Sequence, residues 1–324
     1  MKTISIGIAG LGTVAQGVLS LLAENRSLIE QRSGVSVHVV RVASRSAKPG
    51  VDLHGADFST DVMDLLSDSR IELIVELIGG EVLAKELIVG ALNSGKAVVT
   101  ANKAVIALHG NELPRQALRF EAAVAGAIPI IQALQYGLVA NQFSSISGII
   151  NGTCNYMLSA MEEEGVGFDE ILERAQALGY AEADPTFDVD GIDAAHKLTI
   201  LMALAFGTRF EFDKVYVEGI RAITPTDINY AAELGYRIKH LGILRGHADG
   251  IEARVHPTLV PHGELVAHVS GVLNAVQVVS DAAGKTLFSG PGAGGAATAS
   301  AVVADIVDTA LNSQRPSVDA VVDT

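Results

Sequence analysis

Residues 3–17 read TISIGIAGLGTVAQG, and this stretch decides the fold. Ile4, Ile6 and Ile8 alternate with small residues, the pattern of a buried strand. Val14, Val18, Leu21 and Leu22 then recur at helical spacing. Between strand and helix, Gly10, Gly12 and Ala15 fit the turn G-x-G-x-x-G/A, with Gly17 two places on. A bare backbone there can approach a pyrophosphate while the first amides of the helix point at it. A dinucleotide site built on Gly10 and Gly12 is therefore expected, at the start of a Rossmann-like α/β domain.

Outward from this turn, residues 35–43 read as the second strand, whose end faces the adenosine ribose in such a fold. A site for NAD places Asp or Glu there, whereas here Ser44, Arg45 and Ser46 follow, with Lys48 nearby. A cation suits a 2′-phosphate, which favours NADP(H) over NAD(H). Residues 71–78 form a third apolar strand ending at Gly79 and Gly80, and residues 85–93 form a helix. A strand at 97–99 ends in Thr100, Ala101, Asn102 and Lys103. Strand carboxyl ends line the ligand crevice, which places Lys103 toward the nicotinamide, a surface lysine at a helix start being the other reading. Pro114 allows only a short helix in residues 111–119, and residues 120–124 read as a strand. The small residues at 125–129 put a domain boundary near Pro129.

The second half changes character. Residues 145–150 are strand-like, NGTCNY opens a helix reaching about Glu164, and residues 168–178 are amphipathic. A helix runs from Gly191 to about Phe206. Strands are expected at 215–223, 239–261 and 265–289, with a helix near 227–235. Residues 130–290 thus read as an α+β domain with an antiparallel or mixed sheet. Finally SGPGAGG opens a helix at about 297–311, and residues 291–324 are expected to pack back on the domain of residues 1–129.

One segment stands out by charge. Residues 175–197 read AQALGYAEADPTFDVDGIDAAHK and hold Glu182, Asp184, Asp188, Asp190, Asp193 and Lys197, in a chain with 19% charged residues. The acids between Gly179 and Gly191 are expected on a loop, and Asp193 and Lys197 share a face of the next helix. Such a loop can cradle a small polar molecule, or it can be solvated decoration beside an ordinary ion pair. His196 points about 100° away from Lys197 and reads as structural. Cys154 reads as a small buried residue.

Composition narrows the classes. The chain has 324 residues, 49% of them hydrophobic, and a net charge of −14, with a mean hydropathy of +0.35. That charge argues against nucleic acid or an anionic membrane as partner. No apolar run reaches membrane-spanning length, and the N-terminus has no signal-peptide pattern. One cysteine fits a reducing compartment, so a cytoplasmic protein acting on a small molecule is expected.

Taken together, these motifs resemble the homoserine dehydrogenase family over essentially the whole chain. Ala175, Gly179, Asp184, Pro185, Asp188, Gly191, Asp193 and Lys197 fit its signature. GLGTVAQG, VELIGG, TANKA, FEAAVAGAIPII, NGTCNY and GPGAGGAATASAVVAD are similar too. The resemblance implies reversible hydride transfer between L-homoserine and L-aspartate 4-semialdehyde with NAD(P). It implies Lys197 and Lys103 as catalytic residues, and Glu182, Asp188, Asp193, Thr153 and Tyr180 around the substrate. It implies cofactor contacts from Gly10, Gly12, Thr13, Val14, Arg45, Gly79, Thr100, Lys103, Gly179, Glu182, Gly290 and Gly292. Carbonyls of Glu121, Val124, Gly126 and Ile128 match a site for a monovalent cation, usually Na+. A homodimer formed through the second domain is implied as well.

Two departures from the family pattern stand out. Residues 111–119 are shorter than usual, and the chain ends without room for the C-terminal regulatory ACT domain of many relatives, so threonine feedback through it is not expected. The alternatives are a dehydrogenase of another amino-acid aldehyde and a non-catalytic nucleotide-binding redox sensor. The dense signature argues against the first, and the presence of Lys103, Glu182, Asp193 and Lys197 against the second.

Overall fold

The computed structural model describes residues 1–312. The chain divides into two compact units: Met1–Pro129 together with the last helix, and Ile130–Gly292. Residues 313–324, expected to pack on the first domain, lie outside the described residues.

The first unit alternates strand and helix. Its elements are β1 (Lys2–Ala9), α1 (Thr13–Glu24), α2 (Arg26–Ser33), β2 (Val35–Ala43), β3 (Asp57–Ser59), α3 (Asp64–Ser67), β4 (Leu73–Glu76), α4 (Val82–Asn93), β5 (Ala97–Thr100), α5 (Lys103–His109) and β6 (Leu118–Arg119). The strands lie in the order β3-β2-β1-β4-β5-β6, and every neighbouring pair is parallel. This is the doubly wound arrangement, with its order reversing between β1 and β4, where ligands bind at strand carboxyl ends. Ile6, Ile8, Leu73, Val75 and Val99 fill the sheet interior with no exposed surface.

One expected strand is corrected. Residues 120–124 do not extend: pairing ends at Arg119, and Glu121–Ala123 form a 3-10 turn. The Glu121 amide goes to Asp305 Oδ2 at 2.8 Å instead of a sheet neighbour. Ala125 and Gly126 then both adopt φ +56, which turns the chain sharply.

The second unit holds α6 (Ile130–Gln132, continuing as a π turn at Ala133–Gly137), β7 (Phe143–Ile149), α7 (Gly152–Glu164), α8 (Phe168–Ala177), α9 (Thr186–Val189), α10 (Ile192–Phe206), β8 (Tyr216–Val217), α11 (Pro225–Glu233), β9 (Tyr236–His247), β10 (Gly250–Pro261), β11 (Leu273–Ser280) and β12 (Gly284–Pro291). Its sheet runs β12-β11-β7-β9-β10-β8 and is antiparallel except for the β8–β10 pair. The mixed sheet is the one expected for this half.

Three local expectations change here. Within residues 215–223 only Tyr216 and Val217 pair as strand. The chain then leaves the sheet for α9, where Ile220 N donates to Val189 O at 2.8 Å. Gly219 permits this approach, since a Cβ there would lie 2.3 Å from Val189 O. Leu265–His268 form a 3-10 turn, not strand. The acidic segment is not all loop, because Thr186–Val189 make one helical turn.

The last helix, α12 (Gly295–Leu311), belongs to the first unit. It packs on α1 through two glycines. A Cβ on Gly17 would lie 2.8 Å from Gly295 O, and one on Gly295 would lie 2.8 Å from Thr13 Cγ2. No helix among the described residues is long and apolar enough to cross a membrane.

Candidate active site

In the second unit, the acidic segment folds around one asparagine. Asn151 precedes α7 in extended conformation and caps it, its Oδ1 accepting from Cys154 N at 2.8 Å. Its Nδ2 donates to Asp188 Oδ1 at 2.8 Å and to Asp193 Oδ2 at 2.9 Å. Asp193 sits in the first turn of α10, where the positive helix end favours a carboxylate. Lys197, one turn on, donates from Nζ to Asp193 Oδ2 and to Ile150 O, both at 2.7 Å. The lysine and aspartate side chains are only 12% and 6% exposed, so solvent screens this pair little. Asp188, Asp193 and Lys197, expected together from sequence, do meet, and Asn151 joins them.

The start of α10 explains the geometry. Gly191 adopts φ +87, and a Cβ there would crowd Val217 Cγ1 at 3.1 Å, Val255 Cγ1 at 3.2 Å and His240 Cε1 at 3.3 Å. His196 is buried between the edges of the Phe187 and Phe212 rings, a packing role as expected. Cys154 is fully buried, with Sγ directed at Asp188 O at 3.3 Å. Burial first, then the neighbouring Asp188 and Asp193, push its thiol well above its ordinary range. Full burial makes it a packing residue.

The remaining candidates of this unit have local contacts of their own. Thr153 Oγ1 donates to Tyr180 O at 2.7 Å, and the Tyr180 ring meets Tyr156 edge-on at 4.9 Å. Gly179, at φ +75, ends α8. Glu182 is exposed, and it is its carbonyl that is held, by Gln176 Nε2 at 3.0 Å. Gly290 pairs with Asn274 across β12 and β11, and Gly292 follows the strand end.

In the first unit, the dinucleotide turn has the expected form. Gly10 adopts φ +102, and a Cβ there would lie 2.5 Å from Leu77 O. No side chain caps α1, whose first amides beside exposed Thr13 and half-buried Val14 are left for an anion. These residues fit a pyrophosphate. Arg45 follows β2 and is exposed. Gly79 and Gly80 take φ +71 and +70 just past β4. Lys103 is the first residue of α5, capped by Asn102 Oδ1.

Thr100 is fully buried, with its hydroxyl committed to Glu76 Oε2 at 2.5 Å. Glu76 also accepts from Ile78 N at 2.9 Å, beneath the Gly79 turn. Burial raises this carboxyl above its ordinary value. Thr100 and Glu76 therefore brace the turn. Glu76 was legible as an acid inside the apolar run VELI, although sequence reasoning gave it no role.

Around Glu121, Val124, Gly126 and Ile128 the backbone is buried and compressed by the two left-handed residues. Backbone carbonyls are hard oxygen donors of the type small cations take, and that of Glu121 also accepts from Val124 N at 3.3 Å. Asp305 of α12 is buried beside it, its carboxyl raised well above the ordinary range by burial and by Glu121. No cluster of three or more His, Cys, Asp or Glu among the described residues could hold a metal.

The comparisons with known proteins divide near Pro129, as the contacts do, although the match to the second unit runs on into α12. The family model described as homoserine dehydrogenase matches residues 129–307. The one described as homoserine dehydrogenase, NAD binding domain, matches residues 10–125. Homoserine dehydrogenase of Pseudomonas aeruginosa is 53% identical over 314 residues, covering 95% of this chain and 72% of its own length. The chain belongs to the homoserine dehydrogenase family. Its fold agrees: a homoserine dehydrogenase structure from Thiobacillus denitrificans superposes with a TM-score of 0.96 at 50% identity, over 100% of this chain and 79% of that one. A hyperthermophilic archaeal homoserine dehydrogenase in complex with NADPH gives 0.80 at 25% identity, over 98% and 99%. The family makes the protein an oxidoreductase whose first unit carries the NAD-binding domain.

Proposed function

We propose that this protein catalyses reversible hydride transfer between L-homoserine and L-aspartate 4-semialdehyde, with NADP(H) preferred over NAD(H). The observation that carries this reading is Lys197 held between Asp193 and Ile150 O beside Asn151 and Asp188, within a chain of this family. The dinucleotide supplies the hydride acceptor or donor. Lys197 moves the proton of the reacting oxygen or stabilises its charge as that oxygen gains alkoxide character. Lys103 is the second catalytic lysine. Asp188, Asp193 and Glu182 bind the ammonium of the amino acid, while Thr153 and Tyr180 shape its pocket.

Gly10, Gly12, Thr13 and Val14 hold the pyrophosphate. Arg45 reads the 2′-phosphate, and Gly79, Lys103, Gly179, Glu182, Gly290 and Gly292 complete the cofactor contacts, whereas Thr100, fully buried, acts only by bracing the turn through Glu76. The NADPH bound by the archaeal relative supports the cofactor preference. Carbonyls of Glu121, Val124, Gly126 and Ile128 bind Na+, and the second unit forms a homodimer in the cytoplasm.

The test is an assay of NADP+ reduction with L-homoserine, repeated with NAD+ and with other amino alcohols. Turnover of homoserine with a lower KM for NADP+ is expected. A wild-type protein inactive on homoserine but active on another alcohol would overturn the substrate assignment.

A further inference from the structure

Asn274 lies on β11 with 1% of its surface exposed, and neither its Nδ2 nor its Oδ1 has a hydrogen-bond partner. A buried amide with nothing to bond is costly, and buried polar side chains are normally paired. The contrast with Asn155 is close at hand. That residue is equally buried, yet its Nδ2 donates to Gly271 O at 2.9 Å and its Oδ1 accepts from Lys239 Nζ at 3.3 Å.

Two glycines flank the Asn274 amide. On one side is Gly292, where a Cβ would lie 2.1 Å from Asn274 Cγ. On the other is Gly152, the first residue of α7, where a Cβ would stand 3.7 Å from Asn274 Oδ1. The amide edge thus faces the N-terminus of a 13-residue helix. Asn151 caps the Cys154 amide, and the first-turn amides of Gly152 and Thr153 lie outside the helix's own bonds. The positive end of the helix suits an anion, and so does the carboxamide with Nδ2 in place of Oδ1 toward Gly152, an exchange that breaks no bond because neither atom has a partner. Lys197 Nζ is bonded to Ile150 O, two residues upstream of Gly152.

We infer that Asn274 is a specificity-determining residue: its carboxamide, with the Gly152 and Thr153 amides, takes the carboxylate of the amino-acid substrate. The inference rests on the proposed activity and deepens it. The ammonium of the same substrate is drawn to Asp188 and Asp193, so the two ends are read by opposite charges. Gly292 is glycine because a side chain there would drive the amide out of place.

The test compares wild type with N274A and N274D, the latter isosteric but with the donor replaced by an acceptor. The KM for L-homoserine should rise about 10- to 100-fold, the range for a lost hydrogen bond to a charged group. kcat and the KM for NADP+ should change much less. The probe for the carboxylate is 3-aminopropan-1-ol, which is homoserine without it, measured by its inhibition constant. Wild type should bind homoserine better than this analogue, and the variants should lose that advantage with the analogue's own constant unmoved. An unchanged homoserine KM, or equal losses for both molecules, overturns the role of Asn274. A wild type inactive on homoserine overturns the proposed activity instead. Should neither variant fold, the side-chain amide resonance of Asn274 in the wild type decides: it should shift with homoserine and not with 3-aminopropan-1-ol, and no shift with homoserine overturns the inference.

Discussion

Lys197 and Asp193 lie one helical turn apart and touch, with Nζ 2.7 Å from Oδ2. The second bond of the ammonium, to Ile150 O, fixes it from a different element. A lysine held at two points keeps its proton at one place, as proton transfer requires. Lys197→Ala should therefore lower kcat by roughly 100- to 10,000-fold, the usual share of a positioned acid or base. The variant should still fold, with a lowered Tm because Asp193 loses its buried counter-ion. Near-normal kcat in the variant would remove Lys197 from the mechanism.

Asn151 makes three bonds at once, to the α7 amide and to two carboxylates. Asn151→Ala loses a helix cap worth about 1 kcal/mol and leaves Asp188 and Asp193 facing each other without the shared donor. Calorimetry should show a fall in Tm of a few degrees, and steady-state kinetics a higher KM for homoserine. Asn151→Asp adds a third carboxylate and should be worse than alanine on both counts. An aspartate variant better than alanine would mean that the amide donors do not matter.

Arg45 stands exposed after β2, where the adenosine ribose lies in a doubly wound sheet. Arg45→Ala should weaken NADP(H) at least 10-fold while leaving NAD(H) nearly unchanged. Fluorescence titration with both reduced dinucleotides measures this. Equal losses for the two would show that Arg45 does not read the phosphate.

Glu76 gives a pH prediction. Burial raises its carboxyl in the folded protein, so the native state keeps a proton that the unfolded chain has released. The stability from this group is full below the ordinary carboxylate value of about 4.3. It declines as pH climbs from there through the raised value. Glu76→Gln carries no titrating proton and should flatten that decline in denaturant melts taken from pH 4 to 8. A decline of equal slope in wild type and variant would place its source elsewhere, buried Asp305 being next to examine.

Sequence carried the repeating patterns and lost the long-range partners. Isoleucines at period two and the glycines at 10 and 12 announced the first sheet. The spacing of Asp193 and Lys197 announced a shared helix face. Residues 120–124 misled because an apolar run is equally at home in a buried turn, and only Asp305, 184 residues away, takes the Glu121 amide out of the sheet. Residues 215–223 misled because Val189 O claims the amide of Ile220. Asn151 was legible only as the start of NGTCNY, where a helix opens; its bonds to Asp188 and Asp193 span 37 and 42 residues, and no local pattern encodes them. Asn274 carries no local signal at all, since an asparagine in a strand says nothing of its partners until the fold is known.

The contact of Gly17 with Gly295 has a consequence for the order in which the chain matures. A ribosome delivers the dinucleotide turn before the second unit and α12 after it, yet α12 packs on α1. The first unit therefore waits, its apolar helix face uncovered, until the whole intervening unit has emerged and had time to fold. A domain whose two parts flank another in sequence can close only after the inserted one has been made.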